Sequence, residues 1–264
     1  MMDNIFESFR TLMGLPVLAS EHGKNVDWLI IYMHWLMAVL FAGWIAYFVY
    51  VLFRFRKSRN PKADYGGVRG HASTWIEVAV TVVEFVLLFL LAIPWWANLV
   101  DRPPSESESV VMRVMAQQFG WNVLYPGKDG AFGKQDIRLV SSTNKFGVIP
   151  GDPSGKDDVA KYNDMHVPAN KPVIVHLTSL DVIHSFKVIA LRVCQDAIPG
   201  LSIPVWFKAK PGFEGKYQIN CAQLCGNGHA SMAQGFITIE SQEAFDKWLV
   251  AQSGAGGGAS TSFE

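Results

Sequence analysis

Apolar positions change their rhythm along the chain, and the rhythm divides it. Near the start, Ile5, Phe6, Phe9, Leu12 and Met13 recur at helical spacing ahead of Gly14 and Pro16, a short amphipathic stretch. Residues 28–53 are almost continuously apolar and exceed the ~20 residues a helix needs to cross a hydrocarbon core. A second such run, 75–96, closes on Pro94-Trp95-Trp96, whose indoles suit a membrane–water interface. Residues 101–109, with Pro103, Pro104 and alternating Ser and Glu, are too polar for either helix or core. Beyond them come short strand-like runs at 110–115, 121–124, 136–140, 173–177, 185–189, 203–209, 215–220 and 235–239, punctuated by Gly and Pro. Residues 127–164, rich in Gly, Lys and Asp, read as a surface excursion. Ser241 can cap a last helix with Phe245, Trp248 and Leu249 on one face. The pattern predicts a membrane-anchored all-β protein, in which a two-helix transmembrane hairpin precedes a β-sandwich. The expected divisions are an external N-terminal segment (1–25), the hairpin (26–98), a linker (99–109), the β domain (110–252) and a flexible tail (253–264).

Charge adds direction to this layout. Lys and Arg number 23 and Asp and Glu 23, so the net charge is zero and nucleic acid is not an expected partner. Within loop 54–74, Arg54, Arg56, Lys57, Arg59, Lys62 and Arg69 face the single acid Asp64. That excess marks the loop as cytoplasmic and puts the β domain on the far side, most simply the periplasmic face of a bacterial inner membrane. Intramembrane carboxylates are functional candidates by default. Glu77 and Glu84 share one stripe of the second span with Thr74 and Thr81, whereas His34 reads as a helix–helix hydrogen-bonding residue.

The densest chemistry lies in residues 221–232, Cys-Ala-Gln-Leu-Cys-Gly-Asn-Gly-His-Ala-Ser-Met. Cys221, Cys225, His229 and Met232 offer thiolate, imidazole and thioether within one loop, a soft set that favours copper over hard cations. A disulfide or a zinc half-site also fits the cysteine spacing, but neither uses the methionine. One thiolate more than a single blue-copper ion needs suggests two sulfur-bridged ions. Four donors do not enclose two ions, so the fold must supply another. His184 stands where a β run ends in polar residues, with His166 and His176 as competitors. Cys194 is left unpaired, and no Cys-x2-Cys-His occurs, so covalent haem c is not expected and any electron donor is a separate protein.

The loop, as Cys-x3-Cys-x3-His-x2-Met, resembles the binuclear copper (CuA) loop of subunit II of the haem-copper cytochrome c oxidases. The Asp181-Val-Ile-His184-Ser-Phe segment is similar to the family's remote-histidine segment, which selects His184. The resemblance implies a cupredoxin-like sandwich in which Cys221 and Cys225 bridge two copper ions, with His184, His229, Met232 and the main-chain carbonyl of Gln223 completing the set. It also implies the subunit through which electrons enter a proton-pumping terminal oxidase. Electrons would come from a cytochrome c and pass to haem in subunit I, where oxygen becomes water; other oxidase subunits are further partners. Glu77 matches a glutamate at the mouth of a proton path, while the family often has Pro at Glu84. Phe119 stands where a Trp usually accepts electrons, Trp121 matches a later aromatic, and Leu124 replaces a docking acid. These departures point to a cytochrome c permanently associated with the complex. Asp196 matches an acid that holds an interface magnesium, but Gln223 replaces a carboxylate there and disfavours that cation. A quinol oxidase subunit would lack the copper donors, and the copper domain of nitrous-oxide reductase would lack the two spans.

Overall fold

The structure, a computed structural model, describes residues 2–62, 65–66 and 70–253. Asp64 and Arg69 of the basic loop, and the tail from residue 254, lie outside the described residues. The chain divides into two compact units. One comprises Met1–Leu15 with Asn25–Arg102, and the other Pro16–Lys24 with Pro103–Glu264.

In the first unit, helix α1 (Met2–Leu12) turns its aromatic stripe onto the long helix α2 (Gly23–Arg54). Phe6 stacks on Trp28 at 4.9 Å, and Phe9 meets Trp35 edge-on at 5.6 Å. Beside them Arg10 Nε donates to the fully buried Asp27 at 2.8 Å, a contact that periodicity alone does not reveal. The second span continues from Ala72 to Val100, through α3 (Ala72–Phe85) and α4 (Ile93–Val100). Both spans are long and apolar enough to cross a membrane. Pro94 does not end the second one. Proline lacks an N–H and crowds the carbonyl four residues earlier. The helix widens to π spacing over Val86–Ala92, so that Ile93 N–H donates to Leu88 O, and this turn absorbs the misfit.

The second unit is a sandwich of two five-stranded sheets. Their orders are β3-β2-β1-β5-β8 and β4-β10-β9-β6-β7. The strands are β1 (Val110–Gln117), β2 (Gly120–Tyr125), β3 (Val159–Tyr162), β4 (Asp164–Pro168), β5 (Pro172–Ser179), β6 (His184–Val188), β7 (Val193–Ala197), β8 (Ile203–Lys208), β9 (Gly215–Cys221) and β10 (Gly235–Glu240). Strand β1 alternates half-buried and buried residues and sends Met112, Val114 and Ala116 into the core. Strand β2 lies between β1 and β3 and is buried along its whole length. Residues 136–140 form no strand. Asp136 accepts from Arg138 N and caps a short 3-10 turn at Ile137–Leu139. Helix α5 (Gln242–Ser253) follows β10, and Ser241 Oγ accepts from Ala244 N at 3.2 Å, the expected cap.

Residues Pro16–Lys24, part of the expected external N-terminal segment, strap this sandwich. Leu18, Ala19 and Ser20 are buried in it. Ala19 N donates to Ala190 O, Lys210 N donates to Ala19 O, and Ser20 Oγ donates to Leu191 O. The Arg192 guanidinium donates to the carbonyls of Pro16 and Val17 from the other side.

Candidate metal centre

Two strand ends and one loop build the site. Strand β6 begins at His184 and pairs antiparallel with β9, which ends at Cys221, with Phe186 opposite Cys221. That register brings the first residue of one strand to the last of the other. His184 is fully buried, and its Nδ1 lies 3.9 Å from Cys221 Sγ. The chain then loops back so that Cys225 Sγ faces Cys221 Sγ at 4.0 Å and His229 Nδ1 at 3.3 Å. The main-chain carbonyl of Gln223 is 3.0 Å from Cys221 Sγ, while the residue itself is exposed. His229 opens a 3-10 turn, His229–Gln234, on which Met232 is fully buried.

Backbone freedom makes the turn possible. Gly226 has φ +134, and at Gly228 a Cβ would meet the Phe119 ring at 2.4 Å, so the ring lies directly on the loop. Beneath the loop Trp121 is fully buried. Its Nε1–H donates to Met232 O at 3.0 Å, and its ring stands edge-on to Phe186 at 5.5 Å and to His184 at 6.3 Å.

A sulfur–sulfur distance of 4.0 Å excludes a disulfide, whose bond is about 2.05 Å. Burial, and then the neighbouring Cys221, pushes the Cys225 thiol up to about 11. Ionising the Cys225 thiol therefore calls for a compensating cation. Among the described residues, His184, Cys221 and Cys225 are the only group of three or more His, Cys, Asp or Glu donors whose ligand atoms converge, all within 4.8 Å of one another. Two thiols, two imidazoles and a carbonyl, with the buried Met232 on the same loop, form a soft, oxygen-poor set that fits copper.

The other candidates lie elsewhere. His166 Nδ1 sits 2.9 Å from Glu240, and the ring stacks on Trp248; burial opposes its protonation, but Asp164 and Glu240 outweigh that and raise its pKa. His176 Nε2 is 3.4 Å from Glu106. Asp196 is exposed on β7 and belongs to no converging donor group among the described residues. Cys194 is exposed. Leu124 is 2% exposed, so its side chain belongs to the core and not to a docking face. In the hairpin, Glu84 borders a cavity of about 150 Å³ with Leu36, Leu40, Ala79, Val80 and Val83, Glu77 is exposed on the same helix, and His34 Nδ1 lies 2.8 Å from Ile30 O of its own helix.

One residue of the remote-histidine segment carries a supporting role that the motif did not assign. Asp181 Oδ1 is 2.9 Å from His184 Nε2, and its other oxygen accepts from Gln118 N at 2.7 Å. Burial works against the Asp181 charge, but Gln118, His184 and Val182 together hold its carboxyl below the usual range. Its place three residues before His184 was the available signal.

Fold and donor cluster together define a membrane-anchored, cupredoxin-like protein with a candidate metal centre. Residues 111–241 match the family described as cytochrome C oxidase subunit II, periplasmic domain. The chain is 32% identical over 219 residues to the alternative cytochrome c oxidase subunit 2 of Bradyrhizobium diazoefficiens, covering 83% of this chain and 76% of that relative. It is 29% identical over 250 residues to cytochrome c oxidase subunit 2 of Cereibacter sphaeroides, covering 89% and 78%. Among solved structures, the periplasmic domain of subunit II of cytochrome oxidase from Bradyrhizobium japonicum aligns with 28% identity and a TM-score of 0.42, over 58% of this chain and 97% of that one. The chain belongs to the cytochrome c oxidase subunit II family, and that family implies a copper centre in the sandwich.

Proposed function

We propose that this chain takes electrons from a cytochrome c into a proton-pumping terminal oxidase and passes them to haem in subunit I, where oxygen is reduced to water. The observation that carries the reading is the convergence of His184, Cys221 and Cys225, with His229 3.3 Å from Cys225, at the rim of a membrane-anchored sandwich. Cys221 and Cys225 would bridge two copper ions, and His184, His229, Met232 and the Gln223 carbonyl would complete the set. When bound, such a centre shares one electron between its ions and so exchanges it with little change of shape. The residues supply rigidity. His184 is fixed at a strand start, Cys221 at a strand end, and Met232 by the Trp121 hydrogen bond. Magnesium is not part of this reading, because Gln223 presents a neutral amide and Asp196 no partner cluster.

Electrons arrive over Phe119, the aromatic ring lying on the loop, with the buried Trp121 behind it. Around them Leu180, Val182, Ile183 and Leu224 are exposed, an apolar rim. Such a rim suits a cytochrome c held permanently in the assembly, since transient electrostatic encounters need charge and weaken with salt. The basic loop between the spans would lie in the cytoplasm and the copper domain in the periplasm of a bacterial inner membrane. The decisive experiment mixes the purified oxygen-free complex with reduced cytochrome c. Reduction of the copper chromophore should precede haem reduction, and added soluble cytochrome c should react slowly with little dependence on salt. A complex with no copper in this chain that still oxidises its donor at full rate overturns the reading. Fast, steeply salt-dependent oxidation removes the permanent-donor element alone.

Glu77 is proposed to receive cytoplasmic protons and Glu84 to extend that path inward. Glu84 faces the small cavity between the two spans, where a charge costs ~2.5–3.5 kcal/mol or more near the bilayer centre. A neutral carboxyl there relays a proton or serves only as a hydrogen-bonding group. Glu84→Gln keeps the hydrogen bonds and cannot titrate. Slower proton uptake with normal copper reduction is expected from it, and unchanged turnover and uptake exclude the relay.

A further inference from the structure

His184 and Cys225 stand 41 residues apart in the chain, yet a continuous run of hydrogen bonds outside the cluster joins them. It starts at Asp181. One carboxylate oxygen lies 2.9 Å from His184 Nε2 and also accepts from Val182 N at 2.7 Å. The other accepts from Gln118 N, at the β1–β2 turn, at 2.7 Å. The Gln118 side chain then reaches the copper loop, donating from Nε2 to Cys225 O at 2.6 Å. Next to it, the Phe119 ring packs on Gly228. Three separate turns are tied together through two side chains, Asp181 and Gln118.

The chemistry of each tie is specific. A carboxylate that accepts a hydrogen bond from Nε2–H fixes the imidazole tautomer and leaves the Nδ1 lone pair facing Cys221. It also raises the donor strength of the ring, as carboxylates behind metal-bound histidines do. A stronger donor favours the oxidised, more positive state of a bound centre and lowers its potential. The Gln118 amide acts on geometry alone, since it is neutral and holds the main chain of the residue that carries one thiolate.

We propose that Asp181 and Gln118 are positioning residues that clasp the remote histidine to the copper loop, Asp181 lowering the potential of the centre and Gln118 fixing the Cys225 segment. The proposal rests on the reading of His184 and Cys225 as copper ligands. It is tested in the intact complex carrying Asp181→Asn, Gln118→Leu or both, by copper content, the midpoint potential of the copper chromophore, and the imidazole-nitrogen couplings in magnetic resonance. Asp181→Asn should retain copper, raise the potential by an amount equal to about a tenfold change in the electron-sharing equilibrium, about 59 mV for one electron, and change the nitrogen couplings. Asp181→Glu should recover part of that shift. Gln118→Leu should weaken copper retention by ~10–100-fold with a smaller change of potential. The double variant should depart from additivity, because both residues serve one network. Unchanged potential and couplings in copper-replete Asp181→Asn, with unchanged copper retention in Gln118→Leu, overturn the clasp. If Asp181→Asn does not hold copper, Gln118→Leu carries the decision by the same retention measurement. Absence of copper from the unsubstituted chain is a separate result and strikes the underlying reading instead.

Discussion

Serine at Cys221 is expected to take the purified complex from two copper ions in this chain to one or none, with loss of the copper chromophore. Cys221 Sγ is the donor nearest to the rest of the cluster: 3.0 Å from Gln223 O, 3.9 Å from His184 Nδ1 and 4.0 Å from Cys225 Sγ. A hydroxyl is a poor soft-metal ligand and does not ionise near neutral pH, so it cannot bridge two ions as a thiolate does. Electron transfer from cytochrome c should fall by more than the ~10–100-fold that follows loss of a hydrogen bond supporting a ligand, since here the ligand itself is gone. Cys194→Ser is the control. That thiol is exposed on β7, 3.7 Å from Ser185 Oγ, and its replacement should leave both ions in place. Metal analysis of the two complexes decides the matter, and retention of two ions by Cys221→Ser would refute the bridging assignment.

What the sequence disclosed followed from how local each signal was. The copper loop was legible because its donors lie within twelve residues, and the spans because a membrane helix writes its whole length in apolar residues. Strands β3, β4 and β7 were not read. Val159–Tyr162 and Val193–Ala197 are short edge strands in which Lys161 and Gln195 stand on the inward side with the buried residues and so break the apolar alternation, and Asp164–Pro168 ends in a proline. Their pairing is set by partners far along the chain and not by period. The strap at Pro16–Lys24 was hidden for the same reason, since its partners Ala190, Leu191, Ala209 and Lys210 lie about 170 to 190 residues away. Pro94 lies inside the second span, and the seven residues of wide turn before it let the helix run on to Val100.

Trp121 can serve as an aromatic on the path of incoming electrons or as a core indole, and its surroundings give the two roles different consequences. The side chain is fully buried, wedged against Phe186, with Gly235 so near that a Cβ would lie 2.5 Å from the indole. Trp121→Ala should cost ~3–5 kcal/mol of domain stability, as large-to-small changes of buried aromatics do. Trp121→Phe keeps most of the packing but strands the Met232 carbonyl, at ~1–3 kcal/mol. Because that carbonyl belongs to the turn bearing Met232, part of the loss should appear as weaker copper retention. Phe119 is half-buried, lying over the loop and against the margin of the core, so leucine there keeps most of its apolar cover. The expected contrast is therefore sharp. Phe119→Leu slows reduction of the centre by the donor at nearly unchanged stability, whereas copper-replete Trp121→Phe melts earlier but is reduced at close to the normal rate. Denaturant unfolding of the domain and rapid mixing with reduced cytochrome c measure the two effects separately. Slow reduction in copper-replete Trp121→Phe, with Phe119→Leu at the normal rate, would move the point of electron arrival inward to the indole.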